Sequence, residues 1–160
     1  MHRTRIIPLL LLGWALMVTS CSPRLEREAE HAERRGEYYR AAELYRRLYT
    51  KTPAKQASER ARLAFRAGEN ARRTRAFASA HTSYLSALRY LYPDSLLLLR
   101  LSETSLGVGA PEQAKAFARR YLSHDSMSRE ARRVLESASL ILSHNPSTTA
   151  HSIYKAVSYT

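Results

Sequence analysis

A chain of 160 residues, 44% hydrophobic and 25% charged, has room for one small domain with a modest core. Glycine and proline are scarce while Ala, Leu, Arg and Glu abound, which favours helices over sheet. One cysteine excludes an internal disulfide framework and a cysteine-based zinc site, and 26 basic against 14 acidic side chains leave a formal charge of +12.

Residues 1–20 have the build of a secretion signal. Arg3 and Arg5 form a basic start, and the apolar run Ile6 to Val18 is too short for a bilayer core that needs about 20 residues. It ends in Val18-Thr19-Ser20-Cys21, which resembles a lipobox, the processing site of bacterial lipoproteins. The resemblance implies cleavage before Cys21, acylation of that cysteine and a lipidated start over residues 21–24. An ordinary signal with a chance cysteine, or a single helical anchor, is the blander reading. Ser22, where some lineages use Asp for inner-membrane retention, points to the outer membrane, with the protein facing the periplasm. One acyl chain binds a bilayer marginally and two or three bind stably, at about 0.8 kcal/mol per buried CH₂.

Residues 25–143 then read as paired helices. Leu25 to Arg35 is a charged helix with small Ala29 and Ala32 on one face, Gly36 turns the chain, and Glu37 to Tyr49 returns. The second unit, about Ala57 to Tyr92, carries Gly68, Phe77, Ala80, Tyr84, Ala87 and Leu88. Ala80 lies 39 residues after Ala41, so five extra residues within Ala54 to Arg60 lengthen the linker or the first helix. Arg75 stands where Gly36 turns the first unit, a departure that weakens the match. In the third unit Ala114 follows Ala80 by 34, Gly109 takes the turn, and Pro111 suits a first helical position. Its first helix, Ser95 to Leu106, is the most apolar; Ala118 holds the aromatic slot, leaving Phe117 or Tyr121 to fill the gap. Met127 to Ser143 is a further amphipathic helix, and residues 144–160 read as a flexible polar tail.

The spacing Gly36, Ala41, Tyr45, Pro53 resembles the tetratricopeptide (TPR) repeat, a helical hairpin of about 34 residues. The resemblance implies an all-α solenoid of about three repeats plus a C-terminal capping helix, about the minimum that buries a continuous core. A weaker resemblance is to the N-terminal part of Bacteroidota OmpA-like lipoproteins of the type IX secretion and gliding machinery. It rests on the lipobox, the short array and a helix ending in Asn145-Pro146. Peptidoglycan binding belongs to a later domain of those proteins and is not carried over.

Catalytic patterns are weak. Ser152 and Lys155 have the S-x-x-K spacing of serine acyl-enzymes without its companion motifs, and Gly107-Val108-Gly109 is a lone GxG that reads as a turn. His31, His81, His124, His144 and His151 never pair with an acid at zinc-helix spacing, so no metal and no cofactor is expected.

Binding is the better expectation, and two surfaces compete. Because the first helices of a TPR array line its inner face, the register projects Arg62, Phe65, Glu69 and Arg72 beside Leu96, Leu99, Glu103 and Leu106, a groove for a peptide or partner helix unless neighbouring helices cover the leucines. The second surface is basic: without Arg3 and Arg5 the charge is about +10, and Arg60, Arg66, Arg73 and Arg75, with Arg62 and Arg72, crowd the second hairpin. They form either a solvated face or a patch for anionic envelope lipid or polymer; nucleic acid is not expected of an exported lipoprotein. The functional expectation is a non-catalytic, membrane-anchored adaptor for proteins of an envelope or secretion complex, with electrostatic binding as the alternative.

Overall fold

The computed structural model describes residues 21–144, and every regular element among them is an α-helix. In order these are α1 (Cys21–Arg34), α2 (Tyr38–Lys51), α3 (Ala57–Arg73), α4 (Phe77–Arg89), α5 (Leu96–Gly107), α6 (Pro111–Leu122) and α7 (Arg129–His144). They pair as α1/α2, α3/α4 and α5/α6; α2 packs on α3, α4 on α5, and α7 closes the stack against α6. The all-α hairpin solenoid with a capping helix is therefore the architecture. The signal segment and residues 145–160, with Ser152 and Lys155, lie outside the described residues.

The three hairpin turns share one geometry. Glu37 N–H donates to Ala32 O at 2.9 Å, Ala76 N–H to Ala71 O at 3.0 Å and Ala110 N–H to Ser105 O at 2.8 Å, each closing a Schellman cap on the first helix. The residue before each donor has a positive φ: Gly36 at 75°, Arg75 at 59° and Gly109 at 73°. Glycine adopts this region freely, whereas a side chain there costs about 1–2 kcal/mol. Arg75 thus keeps the turn geometry that its residue type disfavours. A fourth cap joins the second hairpin to the third, where Tyr92 N–H donates to Ala87 O at 3.1 Å and Leu91 has φ 57°.

The repeat positions form the core. Ala29, Ala32, Ala41 and Tyr45 are fully buried together, and Ala80 and Tyr84 repeat the arrangement in the next cluster. Gly68 meets Tyr84 so closely that a Cβ there would lie 2.5 Å from the ring, so the small residue expected for close helix packing has a definite partner. The five extra residues of the second unit go into its first helix: α3 has 17 residues against 12 in α5, while the connection before α3 is no longer than the one before α5. In the third unit no aromatic replaces Ala118. Phe117 turns to the cluster of the second hairpin, and Val134 and Ala138 of α7 pack with Ala114 and Ala118 instead.

One boundary differs. The first helix begins at Cys21, not Leu25, so residues 21–24 are its first turn and no spacer separates the expected lipid site from the fold.

Candidate docking face

The first helices α1, α3 and α5 are tied side by side by ion pairs, and the pattern repeats. On α1 the Glu33 carboxylate accepts from the Tyr45 hydroxyl of its own hairpin at 3.2 Å and from Arg66 and Arg73 of α3 at 2.6 and 3.0 Å. Glu69 of α3 likewise accepts from the Tyr84 hydroxyl at 2.5 Å, from Arg100 of α5 at 3.0 Å and from Arg72 at 3.4 Å. Arg66 and Arg100, the guanidiniums from the following hairpin, are 34 residues apart. Arg100 also donates to Glu103 at 3.1 Å, which ends the ladder, and Arg62 bridges Glu26 of α1 and Glu59 of its own helix.

Charge this close to the core must be matched, because a desolvated ion without partners costs several kcal/mol. The Glu69 side chain is only 13% exposed. Burial would raise its carboxyl pKa, but the Tyr84 hydroxyl and the Arg100 and Arg72 guanidiniums outweigh that and hold it below the ordinary carboxylate value. Burial, then the adjoining Glu69 charge, pushes the Tyr84 phenol well above its usual value. Both groups keep one charge state across the neutral range, so the ladder is a fixed electrostatic scaffold and not a proton relay.

The expected groove is more ionic than apolar. Arg62, Glu69, Arg72 and Glu103 are half-buried; Glu69 pairs with Arg72 and, through Arg100, is linked to Glu103, while Arg62 pairs instead with Glu26 and Glu59. Phe65 and Leu99 do not line it: they are 7% and 6% exposed, and the Phe65 ring stacks on Tyr92 at 4.3 Å and tilts against Tyr84 at 5.7 Å. Leu96 and Leu106 pack half-buried against core clusters. Neighbouring helices have covered the apolar strip. What remains on the face is a row of paired charges that includes Glu33, Arg66 and Arg100, which the repeat register does not mark as groove residues. Their signal in the sequence is the recurrence of Glu at 33, 69 and 103 and of Arg at 66 and 100.

The arginines grouped on the second hairpin are mostly engaged. The Arg60 guanidinium lies over the Tyr49 ring at 4.2 Å and the Tyr90 ring at 4.9 Å and donates to Thr52 O at 2.7 Å. Arg66 and Arg73 share Glu33. Arg75 is exposed on the turn without an ion pair among the described residues. The exposed arginines without such a pair concentrate instead on α6 and α7: Arg119, Arg120, Arg129, Arg132 and Arg133.

His31, His124 and His144 are exposed, and His81, half-buried, meets the Thr104 hydroxyl at 3.2 Å. Among the described residues no three His, Cys, Asp or Glu side chains gather as a metal site, and no helix is long and apolar enough to cross a membrane.

Stacked two-helix units with Ala and Tyr at their crossings and a closing helix define a TPR fold. Among solved structures the chain is similar to the first TPR domain of Spaghetti (RPAP3), bound there to an HSP90 peptide, with a TM-score of 0.62 and 19% identity over 76% of this chain and 93% of that one. It is also similar to the C-terminal TPR-containing domain of an FK506-binding protein of Plasmodium falciparum, with a TM-score of 0.62 and 14% identity over 79% of this chain and 91% of that one. At these identities the likeness is one of fold. No protein-family model and no curated protein matches the sequence.

Proposed function

We propose that this protein is a non-catalytic TPR adaptor, held at a bacterial outer membrane by acylated Cys21, that docks a protein partner of an envelope or secretion complex. The observation that carries the docking half is the row of matched charges across α1, α3 and α5. A half-buried row of paired Glu and Arg offers orientation-specific hydrogen bonds without a large exposed apolar patch, which suits a peptide recognised by polar contacts. The Spaghetti (RPAP3) domain, whose fold this chain shares, is seen with a bound peptide. A photo-crosslinking residue at position 62 or 103, in cells expressing the full chain, should join it to a protein partner. The same group at position 39, which is 71% exposed, should not. Equal labelling from all three positions would remove the face from the proposal.

The electrostatic alternative, binding of anionic envelope lipid or polymer, is favoured by the exposed arginines of α6 and α7, which form no ion pair among the described residues, rather than by those of α3. Capture governed by those charges would fall steeply between low and high ionic strength, whereas docking on the ladder would change little.

A further inference from the structure

The two ends of the helical hairpins differ. At one end lie the turns at Gly36, Arg75 and Gly109; at the other lie the start of α1 and the connections 52–56, 90–95 and 123–128. Contacts hold this second end together as an edge. Tyr49 and Tyr90, near the ends of α2 and α4, meet edge to face at 6.2 Å with Arg60 over both rings. A cleft of about 370 Å³ brings Tyr92, Asp94 and Ser95 together with Arg120 and His124. The Glu26–Arg62 pair sets the second turns of α1 and α3 side by side.

Two features set the edge apart. Its connections expose the largest apolar side chains of any loop: Leu91 is 84% exposed and Met127 73%. Leu91 also has the left-handed φ of 57°, the conformation that Gly36 and Gly109 take in the opposite turns. An exposed, strained leucine contributes nothing to the core and costs stability, so its side chain calls for a role outside the fold.

Charge is the second feature. Arg24, Lys51, Lys55, Arg89, Arg120 and Arg129 are exposed at or beside this edge, and none forms an ion pair with a described residue. The neighbouring acids are exposed but held by local hydrogen bonds: Asp94 accepts from Leu96 N–H at 2.8 Å, Asp125 from Met127 N–H at 3.1 Å and Glu130 from the Ser128 hydroxyl at 3.4 Å. At the opposite end Arg34, Arg35 and Arg73 are paired with Glu30, Glu37 and Glu33, and Arg75 alone of the turn arginines has no ion pair with a described residue.

We infer that this edge is a membrane-contact surface: it rests on an anionic phospholipid bilayer, with Leu91 and Met127 entering the interface and the unpaired Lys and Arg among the headgroups. Apolar side chains rimmed by cations are what such a surface binds. The inference deepens the anchored reading, because α1 starts at the expected lipid site on this same edge, and it fixes which side of the solenoid faces the bilayer.

The test uses residues 21–160 with Cys21→Ser, which contain every described helix and no tryptophan, since the single Trp of the sequence is Trp14. Leu91→Trp is introduced, and Tyr39→Trp in a second chain, each mixed with phosphatidylglycerol vesicles bearing brominated acyl chains. The indole at position 91 should lose about half of its emission or more on entering the acyl boundary. That loss should vanish with phosphatidylcholine vesicles and with Lys51→Glu/Lys55→Glu/Arg89→Glu, and the indole at position 39 should be unaffected. No quenching at position 91, or equal quenching at position 39, overturns the inference; circular dichroism of each chain shows that the fold is kept. Fatty-acid labelling of the full chain decides the anchor separately. Label on Cys21 with an unquenched indole at position 91 keeps the anchor and removes the edge, and quenching without label does the reverse.

Discussion

Arg100 Nε of the third hairpin donates to the Glu69 carboxylate of the second at 3.0 Å, with both side chains less than a fifth exposed. This pair stitches α3 to α5 and sits beside the Tyr84 hydroxyl, which donates to the same carboxylate. Glu69→Gln should lower stability by about 2 kcal/mol, because Arg100 and Arg72 lose a matched charge in a poorly solvated place. Urea unfolding followed by circular dichroism measures it; a loss within error would mean that the ladder is solvated in solution.

Acid should act through the same group. The Glu69 carboxyl is held below its ordinary value of 4.5 in the folded chain. Its contribution is therefore complete above the unfolded value and is lost as pH falls through the lower folded value. Below pH about 4.5 the natural chain should lose stability more steeply than Glu69→Gln, and the two unfolding curves should converge. Parallel curves would assign acid sensitivity elsewhere.

Close packing gives a sharper effect at Gly68. Alanine is a better helix former than glycine by about 1 kcal/mol, which taken alone predicts stabilisation. The new Cβ would lie 2.5 Å from the ring of Tyr84, which is fully buried and held by its hydroxyl. The clash should win, with Gly68→Ala less stable by about 2 kcal/mol in thermal unfolding.

The turn at Arg75 predicts the opposite sign. Its φ of 59° favours glycine, and its side chain is exposed. Arg75→Gly should raise stability by up to about 1 kcal/mol, part of the relieved strain being offset by the freer unfolded chain. Leu91→Gly should stabilise the isolated chain similarly while weakening the vesicle contact. A variant that gains stability and keeps full vesicle binding would separate the strain from the membrane.

Much of the fold was legible because a repeat imposes local rules. The Ala and Tyr at each helix crossing, the glycines in the turns, and the proline opening α6 each answer a geometric demand that any two packed helices make, so spacing alone located them. Even Arg75 sits in the expected slot, although its residue type speaks against it. The site was legible only in part. Register placed Arg62, Glu69, Arg72 and Glu103 on one face, but it also placed Phe65 and Leu99 there. A periodicity gives the direction in which a side chain leaves its own helix; it does not say whether a neighbour covers it, and Tyr92 covers Phe65.

The charges divide in the same way. Composition determined that arginine dominates and that the chain carries a large positive charge, since these are sums over residues. Only the tertiary structure decided which arginines are engaged by Glu26, Glu33 and Glu69 and which, like Arg89, Arg120 and Arg129, form no ion pair among the described residues. Pairing depends on groups 30 or more residues apart meeting within about 3–4 Å, as Arg66 and Glu33 do, and that distance is set by how hairpins stack.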